Sequence, residues 1–219
     1  MPLIKACIFD LDGVIANTAK YHFLAWKKLA NELNINFTSK DNEKLKGVGR
    51  MASLEIILKL GGVTLDEAEK LLLANKKNKW YLEYISKITT DEILPGVKEF
   101  LELLKQNDYK TALGSTSKNS MTILNKLDLV DYFDSIIDGT KVTKAKPDPE
   151  IFLKGAQELG VESKECVVFE DAEAGIEAAK TANMFTIGVG SKEILKNANL
   201  VIGGFSDITL DIFNSLNYS

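Results

Sequence analysis

Short apolar runs alternate with amphipathic stretches along most of this chain. Residues 5–9, 110–114, 135–138, 166–169, 185–189 and 200–202 are nearly continuous in apolar side chains, the pattern of strands buried on both faces. Between them, residues 96–106 set Val97, Phe100, Leu101 and Leu104 on one helical face, and residues 150–159 and 174–182 repeat that spacing. Strands that alternate with helices predict a parallel sheet, because a parallel connection needs a long crossover. Residues 15–91 break the alternation. They hold no convincing strand and read as three or four helices. Asn17 is placed to cap the first, whose apolar face runs Ala19, Phe23, Trp26, Ala30, Leu33. Another runs from about Thr64 to near Ile88. Pro95-Gly96 punctuates the return to the alternating pattern. The expected architecture is α/β: a Rossmann-like parallel-sheet core of residues 1–14 and 93–219, with a helical cap domain of residues 15–92 inserted after the first strand.

Polar residues gather where those strands end. Asp10-Leu11-Asp12-Gly13 follows the first run directly. Taken alone, a D-x-D reads first as a solvated turn, since a buried carboxylate pair needs a cation or hydrogen-bond donors. The second strand leads into Gly114-Ser115-Thr116-Ser117-Lys118-Asn119, whose hydroxyls and backbone N–H groups suit an anion but serve equally as helix caps. Lys146-Pro147, a lysine before a helix-starting proline, reads on its own as plain surface charge. Glu170-Asp171 places a second acidic pair after the strand ending at Phe169, where it also suits a helix N-terminus. Together, two acidic pairs, a hydroxyl-rich loop and a lysine form a far more specific set. Their oxygen donors fit Mg²⁺, and strand C-termini are where open α/β sheets bind ligands.

Composition narrows the function classes. The chain has 219 residues, 45% hydrophobic and 26% charged, which is ordinary for a soluble globular protein. A net charge of −4 argues against a general nucleic-acid binder. No apolar run reaches the roughly 20 residues of a membrane helix, and residues 1–5 run straight into the first strand without a targeting segment. Cys7 and Cys166 fall in predicted interior strands, so free thiols and a cytoplasmic setting are expected. Two distant cysteines and the single histidine, His22, do not make a zinc site. The expected partner is a small molecule bound by a monomer, with no nucleic acid and no membrane.

Asp10-Leu11-Asp12-Gly13, the strand ending in Ser115, Lys146-Pro147 and Glu170-Asp171 occur in the order of the haloacid dehalogenase (HAD) phosphotransferase motifs. The resemblance covers essentially the whole chain and includes a helical cap after the first motif. It implies the HAD fold and an aspartyl-phosphate mechanism. Asp10 is then the nucleophile and Asp12 the general acid and base. Mg²⁺ lies on Asp10, the Asp12 backbone carbonyl, Glu170 and Asp171, while Ser115 and Lys146 hold the transferring phosphoryl group. Elementary chemistry agrees, since phosphoryl transfer is catalysed mainly by positioning and charge neutralisation, and a carboxylate nucleophile divides it into two displacements.

Two further segments, from Thr18 to Trp26 and Leu45-Lys46-Gly47-Val48-Gly49-Arg50, resemble the cap signatures of the β-phosphoglucomutase family. Ser117-Lys118-Asn119 is similar to that family's second phosphate site. Thr116 and Ala172 depart from the pattern, where Ala and Ser are expected. The resemblance implies a substrate site of Trp26, Lys46, Gly47, Val48, Arg50, Thr116, Ser117, Lys118 and Asn119. It also implies β-glucose 1,6-bisphosphate as intermediate, and His22 as a gate aligning Asp12 with a sugar hydroxyl. Without it, His22 reads as a structural residue and Arg50 as a solvated helix-start charge. Lys46 reads as a sugar contact or a solubilising charge, and Lys76, Lys77 and Lys79 as a solvated helix face. A sugar-phosphate phosphatase on the same scaffold and a non-catalytic phosphosugar sensor are the rival readings.

Overall fold

The computed structural model describes residues 4–206 and 208–213. Its centre is a six-stranded parallel sheet. In chain order the strands are β1 (Ala6–Phe9), β2 (Lys110–Gly114), β3 (Ser135–Ile137), β4 (Cys166–Glu170), β5 (Phe185–Val189) and β6 (Leu200–Ile202), and their spatial order is β3-β2-β1-β4-β5-β6. Strand β1 is buried throughout because it is flanked on both sides, with Ile8 paired to Ala112 of β2 and to Val168 of β4. The sheet departs from β1 in two directions. The loop after β1 therefore lies at the switch point, where crossovers diverge and a crevice opens.

Side-chain alternation divides the core between the two faces of the sheet. Cys7, Phe9, Leu113, Val167, Phe169 and Ile187 point to one face, against helix α5 (Val97–Gln106). There Phe9 stacks on Phe169 with ring centroids 4.7 Å apart, and Phe100 meets Phe169 edge-on. Ala6, Ile8, Ala112, Cys166 and Val168 point to the other, against α7 (Glu150–Leu159) and α8 (Glu173–Thr181). The two cysteines thus lie on opposite faces, and both are free and buried. Gly96 precedes α5 at φ 81°, and a β-carbon there would overlap the backbone of Phe205. That is the physical content of the Pro-Gly punctuation.

Between β1 and α5 the chain is helical: α1 (Ala19–Glu32), the single turn α2 (Ser39–Asn42), α3 (Arg50–Leu60) and α4 (Glu67–Ile85). These helices own a separate core of Trp26, Leu29, Ala30, Phe37, Leu54, Ile57 and Ala74. A capping box of Asp66 and Glu69 starts α4. The N-cap of α1 is Thr18, not Asn17, and no side chain caps that end; the Thr18 hydroxyl bonds Asp12 instead. Asn17 is exposed, and its N–H donates to the Glu92 carbonyl while Leu94 N–H donates to Ile15. Those bonds tie the two strands of chain that enter and leave the helical segment. Helix α6 (Ser120–Lys126) follows β2 after the hydroxyl-rich loop.

Candidate active site

Three neighbouring strands end in the residues that the motifs single out. At the end of β1, the Asp10 N–H completes the ladder to Phe169 and the side chain turns inward, 6% exposed. Lys146 is buried beside it and donates to Asp10 Oδ1 at 2.6 Å and to Glu170 Oε1 at 2.8 Å. Its Nζ lies 4.8 Å from the Phe152 ring centroid. Burial opposes the lysine charge, but the two carboxylates outweigh it and raise the pKa. The surface-charge reading of Lys146 is thereby corrected: two buried carboxylates offset the cost of taking its charge out of water. Glu170 is the last residue of β4, and its Oε2 accepts from Ala172 N–H.

Asp10, Glu170 and Asp171 bring carboxylate oxygens within 4.8 Å of one another. Burial, reinforced by the neighbouring carboxylates, pushes Glu170 up to about 8 and Asp171 up to about 7. Two lysines serve the three acids: Lys146, and Lys46 at 3.2 Å from Asp171 Oδ2. With all three acids ionised the cluster would carry more negative charge than the two lysines offset, which is why the carboxyls hold their protons so high; hard oxygen donors of this kind fit a divalent cation such as Mg²⁺. The turn beneath is tight. Gly13 has φ +89°, and a β-carbon there would lie 2.5 Å from Asp171 Oδ2.

Asp12 stands apart from that cluster and faces the helices. Thr18 Oγ1 donates to its Oδ1 at 2.6 Å, and His22 Nε2 lies 3.7 Å from its Oδ2. Burial, then the charge of Asp10, raise Asp12 to about 6. Lys77 Nζ sits 2.9 Å from His22 Nδ1. Burial and the nearby Lys77 and Arg50 charges hold His22 well below its ordinary value, so the ring is neutral. That assigns the tautomer from the bonding pattern: Nδ1 accepts from Lys77, which leaves the Nε2–H to point at Asp12.

Asp10, Asp12, His22, Trp26, Lys46, Gly47, Val48, Arg50, Ser115, Thr116, Ser117, Lys118, Asn119 and Asp171 line one cavity of about 500 Å³. That volume is within the range of small-molecule sites. Lys146 and Glu170 stand behind its wall. Core and helices touch directly across it. Thr116 Oγ1 donates to the Gly47 carbonyl at 3.4 Å, and Asn119 Nδ2 donates to Asn78 Oδ1 at 3.0 Å. The loop after β2 is held from within, since Ser115 Oγ accepts from Ser117 N–H and Ser117 Oγ accepts from Asn119 N–H. Arg50 opens α3 with its side chain in the cavity wall. Trp26 is 3% exposed and belongs to the helical core as much as to the cavity.

Lys77 corrects the expectation of a solvated helix face. Lys76 and Lys79 are exposed, but Lys77 is 1% exposed, with its Nζ 4.6 Å from the Trp26 ring and 4.8 Å from the Tyr81 ring. Burial, then the Arg50 charge, bring its pKa down to about 7. The signal was present in the spacing. The buried positions of α4 are Ala74, Lys77, Tyr81 and Ile85, so the lysine falls on the apolar stripe. Asn78, which holds Asn119, and Tyr81 were likewise not singled out.

Comparison with known proteins agrees with this geometry. The haloacid dehalogenase-like hydrolase family model matches residues 4–183. A β-phosphoglucomutase of Bacillus subtilis is 46% identical over 213 residues, 96% of this chain and 94% of that protein. A phosphorylated carbohydrates phosphatase of Thermotoga maritima is 32% identical over 185 residues, 83% of this chain and 82% of the relative. The crystal structure of a β-phosphoglucomutase from Clostridium difficile superposes with a TM-score of 0.94 at 45% identity, covering 98% of each chain. With the strand-end acids, the buried lysine and the helical segment all in place, the chain belongs to the haloacid dehalogenase-like hydrolases and, among them, to the β-phosphoglucomutase family.

Proposed function

We propose that this protein is an isomerase that interconverts β-D-glucose 1-phosphate and glucose 6-phosphate by way of β-glucose 1,6-bisphosphate. The observation that carries the reading is the joint cavity. One side holds a carboxylate nucleophile beside a buried lysine, and the other holds Arg50 and the Ser117–Asn119 loop. A phosphatase needs only the first; a substrate that carries two phosphates in turn uses both.

In the reaction, phosphorylated Asp10 passes its phosphoryl group to the free hydroxyl of a sugar monophosphate. Asp12 takes the proton of that hydroxyl as the new O–P bond forms and the Asp10 acyl-phosphate bond breaks. The bisphosphate then turns round and presents its other phosphate. An Asp10 oxygen attacks that phosphorus, and Asp12 returns the proton to the leaving sugar oxygen. Lys146 and Ser115 hold the transferring phosphoryl group. His22, kept neutral by Lys77, orients the Asp12 carboxylate. Arg50, Ser117, Lys118 and Asn119 bind the resting phosphate, a task for which the guanidinium fork is well shaped. Trp26, Lys46, Gly47, Val48 and Thr116 border the sugar. Asp10, the Asp12 carbonyl, Glu170 and Asp171 would hold Mg²⁺, which would supply charge neutralisation at the transferring phosphoryl group.

Residues 15–92 act in this scheme as a cap. Closing on phosphosugar but not on water protects the aspartyl phosphate, and the remote phosphate provides the binding energy for closure. A monomer suffices, because every residue invoked comes from one chain. The buried free thiols accord with a reducing cytoplasm.

The test is a coupled assay with β-glucose 1-phosphate, Mg²⁺ and a trace of glucose 1,6-bisphosphate, in which glucose 6-phosphate and inorganic phosphate are both followed. Isomerisation much faster than phosphate release is expected. Rapid phosphate release with negligible glucose 6-phosphate would overturn the reading in favour of a phosphatase.

A further inference from the structure

Lys46 ends the short 3₁₀ turn Glu43–Leu45, in the loop that leads into α3. Its ammonium is shared between two carboxylates. Glu43 Oε2, one turn earlier in the helical segment, lies 3.1 Å away, and Asp171 Oδ2, just past the end of β4, lies 3.2 Å away. The second of these is an ion pair between the helical segment and the sheet domain. The residues that follow Lys46 hold the same loop against the core. Thr116 bonds the Gly47 carbonyl, and β-carbons on Gly47 and Gly49 would lie 3.5 Å from Ala172 Cβ and 3.3 Å from Ala145 Cβ.

Asp171 is also one of the three acids whose oxygens converge within 4.8 Å. A divalent cation on that cluster and the Lys46 ammonium draw on the same carboxylate. Both are positive, and like charges brought together on one partly buried group repel strongly. The two lysines of the cluster are placed differently to meet that repulsion. Lys146 is buried, fixed between Asp10 and Glu170. Lys46 is only partly buried, reaches Asp171 on a flexible four-carbon stem, and has Glu43 as a second partner within its own segment. It is the lysine that can give way.

Resting on the assignment of Mg²⁺ to Asp171 above, we propose that Lys46 couples metal loading to the seating of its loop on the core: the ammonium and the divalent cation compete for Asp171, so each weakens the hold of the other. Mg²⁺ shifts Lys46 toward Glu43 and the cavity, which Lys46 also lines, and loosens the contact of the helical segment with the sheet domain. The coupling is reciprocal and acts by the same factor in both directions. With the metal in place, closure then depends on the anionic phosphosugar more than on the Lys46–Asp171 pair, which disfavours closure over water alone. No covalent bond is made or broken by Lys46.

The experiment titrates Mg²⁺ calorimetrically into the full-length wild type, Lys46→Met and Lys46→Arg. It is run at pH 9, above the values of Glu170 and Asp171, so that displaced protons do not mask the metal. Lys46→Met is expected to bind Mg²⁺ ~5-fold or more tightly than wild type, and Lys46→Arg, which keeps the charge, within about twofold of it. Reciprocity supplies a second readout: acetylation of the Lys46 amine in wild type, followed by peptide mass spectrometry, quickens when Mg²⁺ replaces NaCl at equal ionic strength. A Lys46→Met protein that binds Mg²⁺ no more tightly than wild type overturns the proposal. So does a Lys46→Arg protein that tightens as Lys46→Met does, or a Lys46 amine whose reactivity Mg²⁺ does not raise. If neither wild type nor Lys46→Met takes up Mg²⁺, the metal assignment fails and the coupling falls with it. If all three bind alike, the metal assignment stands and the coupling alone falls.

Discussion

Replacing Lys77 with methionine is expected to stabilise the protein while impairing it as a catalyst, by an amount that depends on pH. Lys77 is 1% exposed, and its pKa falls from 10.5 to about 7 because burial disfavours the ammonium. At roughly 1.4 kcal/mol per pH unit, that displacement amounts to about 5 kcal/mol against the charged form. The variant also gives up the Lys77–His22 Nδ1 hydrogen bond, about 1–2 kcal/mol at every pH, which leaves a net gain of about 3 kcal/mol where the charge cost is fully present. Methionine fills a similar volume and carries no charge.

The sign follows from proton counting. Between pH 7 and 10.5 the unfolded chain holds a proton that the folded protein lacks, so wild-type stability rises with pH on account of this group. Below the folded value both states hold the proton and the whole cost is present. Above 10.5 neither holds it and none remains. Urea unfolding followed by tryptophan fluorescence at pH 6, 7.5 and 9 should show Lys77→Met more stable by about 3 kcal/mol at the lowest pH, with the gap closing towards pH 9. Mutase activity should drop at the same time, because His22 loses the donor that sets its tautomer. A gap constant from pH 7 to 9, or a Lys77 ammonium that titrates near its ordinary value by NMR, would refute the burial argument.

Asp10→Asn removes the nucleophile and should lower mutase turnover by at least ~10⁴-fold, with no phosphoenzyme visible by intact-protein mass after incubation with glucose 1,6-bisphosphate. Full turnover in that variant would sink the assignment. Gly13→Ala drives a β-carbon to 2.5 Å from Asp171 Oδ2 at φ +89°, and calorimetric titration should show Mg²⁺ affinity weakened ~10-fold or more. His22→Ala should reduce kcat for isomerisation by more than it changes the Mg²⁺ dissociation constant. The reverse pattern would make His22 a structural residue.

The strand ends were the most legible part of the site. Asp10, Ser115 and Glu170-Asp171 each follow an apolar run, and strands in a parallel sheet all point the same way, so ends separated widely in the chain meet at one edge. Lys46, Val48 and Arg50 were recognised through resemblance, because nothing in local periodicity separates a binding charge from a solvated one. Lys77 shows the limit clearly. A lysine among lysines reads as surface, and its place on the stripe of Ala74, Tyr81 and Ile85 acquires meaning only when Trp26 and His22 arrive from α1. Thr18 is similar: it stands at the N-cap in place of the expected Asn17, yet its hydroxyl goes to the nearby Asp12 carboxylate, the stronger acceptor.

The amino-acid sequence by itself determined the alternation of strands and helices, the helical character of the segment after β1, and the chemical types at each strand end. Those follow from local periodicity and turn chemistry, which act over a few residues. Only the tertiary structure decided which charges are buried, which hydroxyl goes to which partner, and that Lys77 and Tyr81 stand beside His22. Burial and charge coupling are properties of neighbours in space. In this protein the neighbours of Asp12 come from the β1 loop, α1 and α4, which no local pattern brings together.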